Sequence, residues 1–162
     1  MAAKDRSIYE LFTIKSNDGS KTIDIRGAVV AFSYFENVFS PMLTAQVIVA
    51  TTGNVIADED GDMTSIYNGL PLRGGERVII KIAGNSKVNK GMDFSDHPDK
   101  YFYVASIKNI MIDAERESFV LNLVSREALA NETVRVGRKF MSSQKISDSV
   151  RDILKDYLKT DK

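Results

Sequence analysis

Along most of this chain, apolar and polar residues alternate with the two-residue period of β-strands; near the end the period becomes helical. Ser7–Ile14 reads as a strand with imperfect alternation, its apolar positions being Ile8, Leu11, Phe12 and Ile14. Ser16–Ser20 is a turn cluster, because Asn, Asp and Gly accept the backbone angles that turns need. Thr22–Arg26 resumes the alternation with Ile23 and Ile25 on one face, which predicts a hairpin. Ala28–Asn37 is rich in Val, Phe and Tyr, residues suited to a pleated surface. After the interruption at Ser40-Pro41, Leu43–Ala50 places Leu43, Ala45, Val47 and Val49 on one side. This predicts a second hairpin. Ile48 on the opposite side predicts that both faces of its strand are covered.

Thr51–Gly75 breaks the pattern. The acidic run Asp58–Asp62 precedes a short apolar set, and a helical turn is expected at Met63–Asn68, ending near Gly69 with Pro71 beyond. Gly74-Gly75 leads into Glu76–Ala83, a strand with Val78, Ile80 and Ile82 on one face. Gly84–Asp99 is polar and reads as a surface loop. A long hairpin follows: Tyr101–Ile112, a turn at Asp113–Glu115, and Ser118–Ser125 with Phe119, Leu121 and Leu123 facing inward.

Arg126–Arg135 reads as a connector to an amphipathic helix near Lys145–Lys159. Ile146, Val150, Ile153, Leu154, Tyr157 and Leu158 recur every three or four residues and make one stripe. Ser143 or Ser147 is the expected cap. Asp148 near the start and Lys155 and Lys159 near the end suit the helix dipole. Burying such a stripe would contribute roughly 1.5–3 kcal/mol per large side chain, so a partner for it is expected. As the last element of the chain, this helix is expected to find its partner in a further C-terminal portion or in another subunit.

Composition narrows the function. The 162 residues suit one domain with a real core, and 43% hydrophobic content excludes wholesale disorder. Lys plus Arg and Asp plus Glu are each 22, so the basic excess of a dedicated nucleic-acid binder is missing. The absence of cysteine removes disulfides, thiolate metal sites and cysteine nucleophiles. No apolar run has the length to span a bilayer, no signal-peptide core follows Met1, and the chain reads as soluble and made inside the cell.

Motifs for chemistry fail one by one. Asp58, Asp60 and Asp62 alternate like early calcium-loop ligands, but Gly61 falls at the fourth place and Gly69 at the twelfth, where such a loop needs Gly sixth and Glu twelfth. The run reads as a solvated acidic turn. His97 is the sole histidine, too few for a zinc site without cysteine and with no nucleophile elbow to serve. Gly69 to Gly75 lacks the Lys-Ser or Lys-Thr of a phosphate loop, so its glycines are read as turn formers. Arg126, Arg135, Arg138 and Lys139 form a basic segment that either meets an acidic partner or stays solvated. No enzyme and no cofactor is expected.

Four stretches carry a family resemblance: Leu70–Val78 (LPLRGGERV), Glu117–Glu127 (ESFVLNLVSRE), Ala130–Glu132 and the helix Ile146–Leu154. Between about Ile23 and Lys159, the order of elements resembles the N-terminal part of the baseplate central hub proteins of contractile-tailed, T-even-like bacteriophages. The resemblance implies a mainly β fold, an antiparallel tail-tube-like barrel or sandwich with a C-terminal amphipathic helix. It implies a barrel domain over residues 1–130, with 131–162 as connector and helix, the latter belonging to the start of a second barrel. Such hubs are homotrimers whose paired barrels form a pseudo-hexameric ring between tail tube and central spike. The implied partners are therefore further copies of the chain in a trimer or hexameric ring, the tail tube protein, the spike protein and phage DNA passing through the lumen. The resemblance also implies no membrane insertion and a place in the virion baseplate, assembled in the host cytoplasm. This chain is shorter than such hubs: it is a part of a longer hub or a smaller tube-like protein. Ile66, Tyr67, Leu70 and Leu72 are candidate subunit-interface residues, with packing inside the same chain as the alternative. Two other functions compete: a component of a related injection machine, and a cell-wall-binding or cell-wall-degrading tail module, which the lack of Trp disfavours.

Overall fold

The computed structural model describes residues 8–40, 42–57, 61–85, 88–113 and 115–159. The expectations at Ser7, Pro41, Asp58, Asp60 and Ala114 lie outside these residues. The fold is mainly β. Seven strands form one antiparallel path in the order β2 (Thr22–Asp24), β1 (Ile8–Lys15), β7 (Arg77–Ala83), β9 (Phe102–Ile112), β10 (Glu117–Ser125), β4 (Thr44–Thr51) and β3 (Val29–Phe35). The short β8 (Met92–Asp93) pairs with β7, while β5 (Ile56–Ala57) and β6 (Met63–Thr64) make a separate pair. The described residues also include three short α-helices, α1 (Ile66–Gly69), α2 (Arg126–Thr133) and α3 (Ile146–Asp152), the last continuing as a wide turn over Ile153–Tyr157, and a single 3-10 turn at Pro98–Lys100.

All three expected hairpins form: β1 with β2, β3 with β4, and β9 with β10. The imperfect alternation of the first strand has a physical cause. Its register against β7 shifts between Tyr9 and Leu11, so an extra residue changes which side chains face inward, as a bulge does. Beyond the shift Phe12 and Ile14 are fully buried, whereas Ile8 is exposed.

The sheet is rolled. β1 and β3 stand near opposite ends of the strand order, yet the rings of Phe12 and Phe32 meet edge to face at 5.9 Å. Tyr34 of β3 likewise meets Phe102 of β9 at 6.4 Å. Their common interior is the core, containing Val47 and Val49 of β4, Val78 and Ile80 of β7, and Phe119, Leu121 and Leu123 of β10. No ladder joins β2 to β3 among the described residues, although they are consecutive in the chain. A tight turn links them instead, with the amides of Ala28 and Val29 both donating to Ile25 O.

Ile48 corrects one expectation. It faces outward and is 39% exposed, so the outer face of β4 is not covered. Across this outer face Gln46 donates to Asn122, and Asn122 donates to Ser106, at 3.1 and 2.9 Å. The amide row fits a solvated surface.

Candidate functional site: a clamped connector and an exposed arm

The segment between β6 and β7 is held by two buried glutamates. Glu117 begins β10 at the parity of Phe119, Leu121 and Leu123, and so its side chain enters the core, 1% exposed. There its carboxylate accepts the amides of Ile66 and Tyr67 at 2.8 and 2.7 Å. Ser65 Oγ accepts the amide of Asn68, so the start of α1 has three of its free donors satisfied by side chains. Glu76 precedes β7 at the parity of Val78, Ile80 and Ile82, and is equally buried. Its carboxylate accepts Arg73 N at 2.7 Å and Gly74 N at 3.0 Å. Both carboxylates serve backbone donors, and this makes their burial tolerable.

These clamps fix where the candidate interface residues stand. Ile66, Leu70 and Leu72 are buried in the chain's own core, at 2%, 0% and 3% exposure. Tyr67 is half-buried, its ring 6.4 Å from that of Phe119. The structure thus gathers all four against one side of the core, with Tyr67 alone retaining substantial exposed surface. Gly69 has a packing reason: a Cβ there would lie 2.7 Å from Thr64 Cγ2. Gly74 and Gly75 have φ of 106° and 88°, the left-handed region that a turn into β7 requires.

The remaining polar candidates form local pairs. His97 is exposed, and its Nδ1 lies 3.3 Å from Asp99 N and 3.2 Å from the Asp99 carboxylate. Arg126, at the start of α2, also pairs with Asp99. Arg138 reaches Asp152 and Asp156 at 3.6 and 3.8 Å and lies over the ring of Phe140. Arg135 and Lys139 are exposed without a hydrogen bond or ion pair among the described residues. No group of three or more His, Asp or Glu side chains is placed to hold a metal among the described residues. No described helix is long and apolar enough to cross a membrane.

Asp18 shows a large electrostatic shift. Its carboxylate accepts the hydroxyl of Ser16 and both the amide and the hydroxyl of Ser20, and these bonds hold its pKa down at about 2. The same turn lines a cavity of about 320 Å³ with Lys21, Pro71 and Arg73. A second cavity of about 250 Å³ has Leu43, Phe94 and Phe102 as its apolar wall.

The C-terminal region departs furthest from the sequence reading. Arg126–Thr133 is a helix, not a connector, with Glu127 and Ala128 buried. Ser125 stands at its cap position, but the Ser125 hydroxyl instead accepts the amide of Leu43. Residues 131–139 are then all exposed. In α3 neither Ser143 nor Ser147 is the cap; Lys145 occupies that position and provides no side-chain bond. No side chain of α3 or of its continuation is buried, and Ile146 is 83% exposed. Every hydrogen bond and ion pair of residues 138–159 stays within that stretch among the described residues. We call residues 134–159 the arm.

Sequence reasoning missed the glutamate clamps, although the signal was present. Each is a carboxylate at an inward-facing place of a strand, where an acid belongs only if it meets donors. Comparison of the chain with protein-family models, curated proteins and solved structures finds no match.

Proposed function

We propose that this protein is a structural subunit of a phage tail baseplate hub, joining the tail tube to the central spike and forming part of the DNA conduit. On this reading the rolled sheet is a tail-tube-like barrel or sandwich, and copies of the chain assemble into a trimer or a hexameric ring. The protein acts without catalysis and without a cofactor, in the virion. The observation that carries the reading is the division of the chain: a rolled antiparallel sheet followed by an arm in which no described side chain of the apolar stripe is fully buried. The order of hairpins, clamped connector, long hairpin and helix supports it, as does the resemblance of Leu70–Val78 and Glu117–Glu127 to hub proteins. Exposed apolar side chains such as Phe39 and Val38, in the β3–β4 loop, fit a molecule that meets neighbours.

The test is native mass spectrometry and electron microscopy of the purified chain, alone and mixed with a contractile tail tube protein from the phage that encodes it. Trimers or rings that seat on the end of the tube are expected. A chain that stays monomeric at high micromolar concentration and does not bind tubes contradicts the proposal. Release of sugar fragments from peptidoglycan would replace it with the cell-wall reading.

A further inference from the structure

The outer surface of the rolled sheet is split by charge. On the half formed by β2, β1 and β7, the outward positions include Asp24, Lys15, Arg77 and Lys81. Part of this charge is matched inside the chain: Lys81 reaches Glu10 at 3.2 Å and Asp93 at 3.6 Å, and Arg26 reaches Asp24 at 2.6 Å. The other half is different. Charged residues make up 27% of the chain, yet β3, β4 and residues 118–125 of β10 contain none. Glu117, the first residue of β10, points into the core. Ser33 and Phe35 of β3, Gln46 and Ile48 of β4, and Val120 and Asn122 of β10 stand side by side on the outer face. Lys108 of β9, opposite Val120, brings one charge to the margin of this field. Glu36, after β3, and Asp113 and Arg116, at the β9–β10 turn, lie beyond the strand ends at its rim.

We propose that this uncharged face packs on the same face of a second copy, around a two-fold axis close to Gln46 and Asn122. A partner that brought charged side chains here would bury them without counter-charges, since the face itself has only Lys108 at its margin. The outward half at β2, β1 and β7 is charged, so the sheet surface of a second copy that matches this one is the same half. Self-contact also suits the polar row across the middle. Gln46 donates to Asn122 and Asn122 donates to Ser106, and each amide keeps further donor and acceptor capacity for a copy of the row. Phe35, Ile48 and Val120 flank the row with apolar surface. Four strands about 4.8 Å apart and about eight residues long give a face of about 500 Å². Two such faces bury about 1,000 Å², the size at which a specific interface begins. The contact goes beyond the ring proposed above and does not rest on it, because a same-face contact is isologous and closes as a pair.

Gln46 is exposed and central on the face, where an isologous contact brings a residue close to its own counterpart. Full-length Gln46→Lys and Gln46→Glu chains would be sedimented separately and as an equimolar mixture, beside the unsubstituted chain. The unsubstituted chain should form dimers. Each variant alone should dimerise at least about tenfold more weakly, because like charges meet across the contact, and the mixture should recover the lost affinity as a Lys–Glu heterodimer. The same two substitutions at Thr13, outward on the charged half, should leave association unchanged. Circular dichroism melting of each variant checks that the sheet remains folded. Two losses without recovery in the mixture would overturn the proposal, since the face would then meet a different surface. Association equally strong in both variants, or a chain that is monomeric throughout, would overturn it as well. Rings that persist in native spectra of both Gln46 variants, without pairs, would leave the ring reading standing and the pairing refuted. Pairs without rings would do the reverse.

Discussion

The body and the arm are built from similarly patterned sequence and meet opposite fates. In β10, every second residue from Glu117 to Ser125 is buried, and the apolar members of that set make the core. In α3 and its continuation, an apolar stripe of comparable strength remains partly in water. Each has the apolar period of its own element, two residues in the strand and three to four in the helix, and the fates differ with what each face is given to pack on. β10 lies between β9 and β4 and closes over the interior of a rolled sheet, while the arm leaves the body along nine exposed residues, 131–139. An apolar stripe tells that a partner exists without telling where it is. A second contrast lies inside the long hairpin itself. β9 is covered near Phe102 and bare near Met111, while the facing strand is buried on alternate residues along its length.

The contrast between body and arm can be broken or sharpened by substitution. The largest effect is expected at Phe119→Ala in the body, which should cost about 3–5 kcal/mol of unfolding free energy by urea titration, the range for truncating a buried Phe. A loss below about 1 kcal/mol would mean that the core around β10 is not packed as described. Next is Glu117→Ala, which leaves the buried amides of Ile66 and Tyr67 without acceptors. A loss of about 2–3 kcal/mol is expected, with Glu117→Gln recovering part of it, because a side-chain amide oxygen still accepts. The arm should behave differently. Ile146→Ser is expected to change the body's stability by less than about 0.5 kcal/mol, as an exposed substitution does, while reducing self-association. A loss comparable to that of Phe119→Ala would show that the arm belongs to the body's cooperative unit.

The smallest effect is at Asp18. Its pKa is lowered, so its hydrogen bonds to Ser16 and Ser20 favour the folded turn fully above the ordinary carboxylate range and lose that effect as pH falls through about 2. An NMR titration should show the Ser20 amide resonance holding steady near pH 4 and moving near pH 2. A midpoint near 4 would contradict the turn geometry. In the Asp18→Asn variant the acid transition of this amide should disappear.

Much of the body was legible because strand parity is a local property. Three hairpins and the inward faces of β4, β7 and β10 follow from alternation and turn residues alone. Ile48 was misread because an apolar residue at an outward place implies cover only if another layer exists, and none lies over that face among the described residues. The helical nature of Arg126–Thr133 was missed because the segment is short and polar, with its anchor in Glu127 and Ala128 rather than in a stripe. The glutamate clamps depend on contacts 50 or more residues apart in one case and on a tight local turn in the other. Strand parity places each acid inside, but only the fold brings the amides to it. Ile66, Leu70 and Leu72 were recognised as residues that need cover, and the cover comes from their own chain.

The most direct measurement is hydrogen exchange followed by mass spectrometry on the monomeric chain and on its assembled form. In the monomer, the amides of β4 and β10 should exchange slowly and those of residues 146–157 should exchange within seconds, since helices this short are marginal without a packing partner. On assembly, residues 146–157 should become protected. An arm as protected as β10 in the monomer, or one still unprotected in the assembly, would contradict an arm that is completed by a neighbour.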